Sequence, residues 1–177
     1  MAFAVNIYFD QDTEALLKKY WKKLDDANLP NKSQRAFRPH ITLCIFEKIN
    51  CSDCECYINE ISDHFKIKKV RLDHLGIFNN GEKVLFLATA PSEMLLNMQK
   101  EIFKTVSQYA QQPWDLYHPA AWVPHCTMAN DLDADGLKKA LEITLGIHLP
   151  IQALVSQIGI IEFDPIHTIY QVDIKEH

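Results

Sequence analysis

Two short stretches of the chain carry the same residue types at the same spacing. The first is Phe37–Leu43, which reads Phe-Arg-Pro-His-Ile-Thr-Leu, and the second is Trp122–Met128, which reads Trp-Val-Pro-His-Cys-Thr-Met. Each has an aromatic residue three positions before a histidine, a proline directly before it and a threonine two positions after it. His40 and His125 are separated by about half of the 177-residue chain, which indicates a duplicated unit.

This pattern suits acid–base cleavage of a phosphodiester. Alternate side chains of a strand share one face, so His40 and Thr42 point together, and so do His125 and Thr127. If the two strands meet, one neutral imidazole can take a proton from the attacking oxygen while the other, protonated, gives one to the leaving oxygen. The ordinary pKa of histidine, about 6.5, lets both forms coexist near neutrality. The threonine hydroxyls can bind the non-bridging oxygens, and we expect neither a metal ion nor another cofactor.

A single copy of the motif would be weak evidence for a catalytic site. One Pro-His-x-Thr is typical of an ordinary strand, in which threonine reflects β-propensity. Two copies with matched aromatic, proline, histidine and threonine positions favour a functional pair.

Two further residues are candidates for substrate binding. Tyr8 lies in the first predicted strand, where it could line the cleft and stack on a base. Arg38 precedes His40 by two positions and would share its face in an extended chain. A half-buried strand tyrosine and a solvated loop arginine are the structural alternatives. Phe37 and Trp122 are expected to pack within the fold rather than to bind a base.

Hydrophobic periodicity predicts the elements that hold these motifs. Alternation over Val5–Phe9 predicts a half-buried first strand, and Asp10 or Asp12 can cap the helix that follows. Pro91 suits the first turn of a third helix. Further strands are predicted at residues 40–46, 70–78, 83–88, 151–163 and 168–174, and further helices from about residue 52 and after Asp131 or Asp133.

Each half of the chain therefore gives the order strand, helix, motif strand, helix, strand. No linker or low-complexity tract divides the sequence. We expect an α+β fold in which residues 1–177 form a single bilobal domain, with sequence repeats at about residues 1–80 and 81–177. Duplicated strand-helix-strand units with pseudo-twofold symmetry would then enclose a cleft between two antiparallel sheets.

Composition narrows the class of protein. The net charge is −5, whereas a protein that tracks along nucleic acid is usually basic. The sequence contains no run of about 18 apolar residues that would predict a membrane span.

The five cysteines and the lack of a secretion signal indicate free thiols in the cytoplasm. Cys51-x-x-Cys54-x-Cys56 invites a zinc or redox interpretation, but a structural zinc site usually needs a second pair of ligands, so ordinary reduced cysteines are expected. The oligomeric state stays open.

At Pro39–Leu43 and Pro124–Met128 the sequence resembles the paired His-x-Thr-x motifs of the two-histidine (2H) phosphoesterase superfamily. That group includes the 2′-5′ RNA ligase-like proteins and the cyclic nucleotide phosphodiesterases. The resemblance covers essentially the whole chain. It implies a bilobal fold and metal-free hydrolysis of 2′,3′-cyclic or 2′-5′-linked phosphodiesters. By analogy His125 is the base and His40 the acid, although the spacing alone leaves the two roles interchangeable.

The resemblance implies a small nucleotide or an RNA end as the substrate. No Lys or Arg follows the second motif, so the cations expected to neutralise a phosphate are Lys32, Arg35 and Arg38, which precede His40. About three cations do not suit tracking along a long strand. The alternative is a non-catalytic nucleotide- or RNA-binding module on the same fold. Both histidines and both threonines are present, which favours catalysis, because a pure binder does not need an acid–base pair.

Overall fold

In the computed structural model of the chain, the described residues are 2–31, 37–50, 54–64, 69–79, 81, 83–163 and 165–174. They contain eight β-strands and four α-helices. The strands are β1 Ala2–Phe9, β2 His40–Ile49, β3 Lys69–Asn79, β4 Lys83–Thr89, β5 Ala110–Pro113, β6 His125–Leu132, β7 Ile151–Phe163 and β8 His167–Asp173; the helices are α1 Gln11–Asp26, α2 Cys54–His64, α3 Glu93–Val106 and α4 Ala134–Thr144. None of the described helices is long and apolar enough to cross a membrane.

All strand pairings are antiparallel and follow the order β5-β2-β1-β7-β3-β4-β6, with β8 added on β7. The long strand β7 joins two sheets, because its first residues pair with β3 and the rest pair with β1 and β8. Antiparallel sheets combined with helices confirm the predicted α+β class.

Each sheet combines strands from both halves of the sequence. The sheet that contains β1 and β2 also takes β5, β8 and most of β7 from the second half, whereas β3 from the first half lies beside β4 in the other sheet. Helix α1 likewise contacts α4 and β6, and α3 contacts β2. The repeat boundary predicted at about residue 80 therefore does not coincide with a boundary between the two sheets.

Side-chain caps fix where the helices begin. Asp10, Ser92 and Asp133 each accept a hydrogen bond from the backbone N–H three residues further on, at 3.2, 3.2 and 2.7 Å. Asp10 is thus the cap of α1 and Asp133 that of α4. Pro91 precedes the Ser92 cap instead of standing in the first turn, because the serine side chain supplies the oxygen that proline lacks.

Strand β1 is buried on both faces, which corrects the expectation of a half-buried strand. Val5, Ile7 and Phe9 lie in the main core, and Asn6 and Tyr8 on the opposite face are also buried. The reason is that Phe37 and the Arg38 guanidinium cover this second face.

Candidate active site

The two motif strands bring both His-x-Thr pairs to one cleft of about 540 Å³ where the sheets meet. Strand β2 begins at His40 and β6 begins at His125, and the two strands contact each other. His40, Thr42, His125 and Thr127 all line this cleft. The structure thus places together the four residues that the repeated spacing singled out.

Both imidazoles are oriented in the same way. His40 Nδ1 lies 2.5 Å from the carbonyl oxygen of Arg38, and His125 Nδ1 lies 2.7 Å from that of Val123. A carbonyl can only accept a hydrogen bond, so Nδ1 carries a proton in each ring. The intervening proline restricts the residue before it to an extended backbone. Nε2 is then the nitrogen that takes a proton when the ring is neutral and gives one when it is charged.

Different aromatic rings hold the two imidazoles in place. His40 stacks on Phe37, with ring centroids 5.4 Å apart and an interplanar angle of 29°. His125 lies at 4.9 Å from Phe78 in an edge contact and at 5.1 Å from Phe86. The sequence did not predict Phe78 and Phe86, which come from the β3–β4 hairpin.

The threonine positions are fixed through their backbone. The indole N–H of Trp122 donates to the Thr42 carbonyl at 2.9 Å, and that of Trp21 donates to the Thr127 carbonyl at 3.3 Å. Within the described part of the chain neither threonine hydroxyl is engaged in a hydrogen bond, and both side chains are half-buried at the cleft wall. The hydroxyls are therefore placed to donate to a ligand. Trp122 packs as predicted, whereas the role of Trp21 was not foreseen.

The predicted substrate contacts Tyr8 and Arg38 do not line the cleft. Tyr8 is buried behind His40, where burial raises the pKa of its hydroxyl. The Arg38 guanidinium lies over the Tyr8 ring, 4.7 Å from its centroid, and forms an ion pair with Glu14 at 2.6 Å. No local pattern indicates this partner, because Glu14 is 24 residues away on α1.

Asn6 borders the cleft instead. Its side chain is fully buried, and it lies opposite Thr42 on the neighbouring strand. Nδ2 donates to the Tyr8 hydroxyl at 3.4 Å, whereas Oδ1 has no hydrogen-bond partner among the described residues. An unmatched buried amide atom costs about 1–3 kcal/mol. A polar residue in an otherwise apolar strand was the one sequence signal for this position.

The charge on the cleft wall is low. Among the described residues that line it there is no Lys or Arg, and Asp131 is the one acidic residue. Lys32 and Arg35, which were expected to neutralise the charge of a phosphate, lie outside the described residues. Hydrogen-bond donors and a protonated imidazole are thus the groups on the described wall that can face a phosphate.

The mouth of the cleft is apolar and partly aromatic. Trp114 makes an edge contact with Phe163 at 5.8 Å, and the Leu116 and Val123 side chains are exposed beside it. Such a surface suits a flat, weakly polar group next to the phosphate site.

The cysteines do not contribute a nucleophile or a metal site to the described cleft. Cys44 and Cys126 are buried, and burial raises the pKa of the Cys126 thiol to about 12. No group of three or more His, Cys, Asp or Glu in the described part of the chain could hold a metal ion. Cys56 is exposed and free, whereas Cys51 and the side chain of Cys54 lie outside the description.

Comparisons with known proteins concern the family and the fold of the chain. Residues 14–165 match the model of the 2′-5′ RNA ligase superfamily. A search of curated proteins found no match. The fold is similar to Escherichia coli LigT complexed with 3′-AMP, with a TM-score of 0.59 and 12% identity over 98% of this chain and 97% of that chain. It is also similar to TT0787 of Thermus thermophilus, with a TM-score of 0.59 and 15% identity over 100% of both chains. At these identities the likeness is one of fold.

Proposed function

Because the chain belongs to the 2′-5′ RNA ligase superfamily, we propose that it is a metal-independent phosphoesterase that hydrolyses 2′,3′-cyclic or 2′-5′-linked phosphodiesters. The observation that carries this proposal is the pair of imidazoles that line one cleft, each with Nδ1 bound to a backbone carbonyl. In that arrangement Nε2 is the nitrogen through which each ring would transfer a proton. The catalytic roles of His40, Thr42, His125 and Thr127 are part of the proposal.

Hydrolysis of a cyclic phosphate then needs two proton transfers. Nε2 of the neutral histidine, His125 by family analogy, takes a proton from water as the water oxygen attacks phosphorus. The bond from phosphorus to one ribose oxygen breaks, and that oxygen takes the Nε2 proton of the charged His40. The Thr42 and Thr127 hydroxyls donate to the non-bridging oxygens and stabilise their charge. Exchange of protons with solvent restores the starting state.

The cleft favours a small substrate with little charge. A volume of about 540 Å³ suits a nucleotide-sized ligand. The exposed Trp114 and Leu116 at the mouth suit a base beside the phosphate, and the described wall has no cation for a polyphosphate. The 3′-AMP bound to Escherichia coli LigT is a nucleoside monophosphate, the kind of product that such hydrolysis releases. We place the activity on RNA ends or small nucleotides in the cytoplasm.

The test is to incubate the protein with the four nucleoside 2′,3′-cyclic phosphates in EDTA and to measure monoester. We expect turnover in the wild type and none above background in a His40→Ala, His125→Ala double variant. Binding of the nucleotides without monoester formation would favour the alternative, a non-catalytic nucleotide-binding module. Turnover that appears only when a metal ion is added would contradict the mechanism.

A further inference from the structure

The carbonyl that orients His40 belongs to a residue whose side chain is tightly held. Arg38 accepts the His40 Nδ1 hydrogen bond through its backbone oxygen at 2.5 Å. On the other side, its Nε donates to Glu14 Oε1 at 2.8 Å and its Nη2 lies 2.6 Å from the same oxygen. One residue therefore links a charged group of helix α1 to the ring of a motif histidine.

The Arg38 guanidinium contacts four elements of the fold. Besides Glu14 on α1, Nη1 donates to Gln157 of β7 at 2.9 Å and to Gln171 of β8 at 3.3 Å. Its Cζ lies 4.7 Å from the centroid of the Tyr8 ring on β1. A planar group with several directed donors loses its rotational freedom in such a setting, and this fixes the backbone from which it projects.

The Glu14 carboxylate is itself well fixed. Its side chain is only 10% exposed, and Lys18 one turn further along α1 binds Oε2 at 2.9 Å. Low exposure limits screening by salt, so this pair differs from an ordinary surface ion pair. The Lys22–Asp26 pair on the same helix, with side chains 75% and 63% exposed, is such a surface pair.

The carbonyl that orients the second histidine has a different setting. His125 Nδ1 donates to the carbonyl of Val123, an apolar residue that is 45% exposed. The two rings thus make the same backbone hydrogen bond, but the acceptor of His40 belongs to a residue held by a largely buried carboxylate.

We propose that the Glu14–Arg38 ion pair positions His40. It holds the Arg38 carbonyl in place, and this carbonyl keeps the His40 ring in the Nδ1-protonated tautomer with Nε2 towards the cleft. Arg38 is then a positioning residue and not a contact to the substrate. Its effect on turnover rests on the proposed function, whereas its effect on the ring does not.

Two readouts test this. Nitrogen-15 NMR of the histidine rings reports the tautomer of His40 and His125 without substrate, and kinetics on a nucleoside 2′,3′-cyclic phosphate separates kcat from KM. In Arg38→Met, which keeps the length of the side chain, we expect His40 to become a mixture of tautomers while His125 is unchanged. We expect kcat to fall by about 10- to 100-fold, the usual cost of losing the group that orients a reacting side chain, with KM within about twofold.

Two further variants sharpen the comparison. Glu14→Gln keeps an oxygen that can accept a hydrogen bond from Arg38, so it should show the same changes in tautomer and kcat to a smaller degree. If Arg38→Met does not fold, Glu14→Gln tests whether the ion pair positions His40. Lys22→Ala breaks the exposed pair of the same helix and should change neither readout. Arg38→Met with an unchanged His40 ring and a raised KM would overturn the proposal and make Arg38 a substrate contact. Wild-type protein without turnover would contradict the proposed function alone, because the ring spectra still decide the positioning.

Discussion

His40 and His125 have equivalent environments in the site. Each donates a hydrogen bond from Nδ1 to a backbone carbonyl, and both line the same cleft. If they act as one acid–base pair, replacing either with alanine should lower kcat by about 10²–10⁴-fold. The double variant should lose little more than the worse single variant, because the pair acts as a unit. Kinetics on a cyclic nucleotide checks this, with Lys22→Ala as a matched surface control. A single variant with nearly full activity would rule out its histidine.

Because the Cys126 thiol is buried, we expect the free energy of unfolding to depend on pH above neutrality. Its folded pKa is about 12, above the ordinary value of 9.0. Above pH 9 the thiol ionises in the unfolded chain but stays protonated in the folded one, so rising pH favours unfolding. Between pH 7 and pH 10 this thiol should lower the free energy of unfolding by about 1.4 kcal/mol.

Urea unfolding under reducing conditions at both pH values measures this loss. Cys126→Ala should show a loss about 1.4 kcal/mol smaller than the wild type, whereas Cys56→Ala, which removes an exposed thiol, should match the wild type. An equal loss in the Cys126→Ala variant would show that the thiol is ionised in the fold.

At the scale of the elements, the β3–β4 hairpin holds the ring of His125. Gly76 pairs with Phe86 across the hairpin, and a Cβ at position 76 would clash with the Phe86 ring. The Phe86 ring is in turn 5.1 Å from His125. Gly76→Ala must therefore displace Phe86, and we expect a loss of about 1–3 kcal/mol of stability, typical of overpacking, together with a lower kcat.

Gly81 provides the matched control, because no side chain or backbone atom of the described residues lies within 4 Å of a Cβ at that position. Gly81→Ala should change neither the midpoint of thermal unfolding nor kcat appreciably. If Gly76→Ala behaves like Gly81→Ala in both measurements, Phe86 does not hold His125.

The elements themselves could largely be predicted from the sequence, because they follow from local rules. Alternation and helical periodicity predicted the helices and the strands other than the short, polar β5. Asp10 and Asp133 are caps of the predicted kind. The local rules were ambiguous at Pro91, where a serine one residue later provides the cap. They also missed the two-sided burial of β1, which depends on what covers the strand and not on its own pattern.

At the scale of the molecule, local sequence rules could not predict which strands pair with each other. Strand β7 joins β1 in one sheet to β3 in the other, and periodicity does not say which strands become partners. The same limit applies to the site. The His-x-Thr pairs were visible as a repeat, whereas Asn6, Trp21 and Phe86 enter it only through contacts between distant segments. Arg38 was expected at the substrate and is held by Glu14.

The charge distribution of the whole molecule predicts weak salt dependence in RNA binding. The net charge is −5, the described cleft wall has no Lys or Arg, and Arg38 is paired with Glu14. Affinity for single-stranded RNA falls with salt at a slope of roughly −0.7 per neutralised phosphate, so we expect a slope no steeper than about −2. Titration of a fluorescent single-stranded RNA of about twenty nucleotides across a salt series measures it. A slope of about −4 or steeper would reveal an extended basic surface.

The most direct test of two-histidine catalysis is the pH dependence of kcat/KM for a nucleoside 2′,3′-cyclic phosphate, measured in EDTA. One imidazole must be neutral and the other charged, so the profile should be bell-shaped, with both limbs within about 1–2 units of pH 6.5. EDTA should leave the profile unchanged, because the motif residues transfer the protons themselves. A rate that climbs steadily through about pH 9, or one that chelation abolishes, would contradict the account.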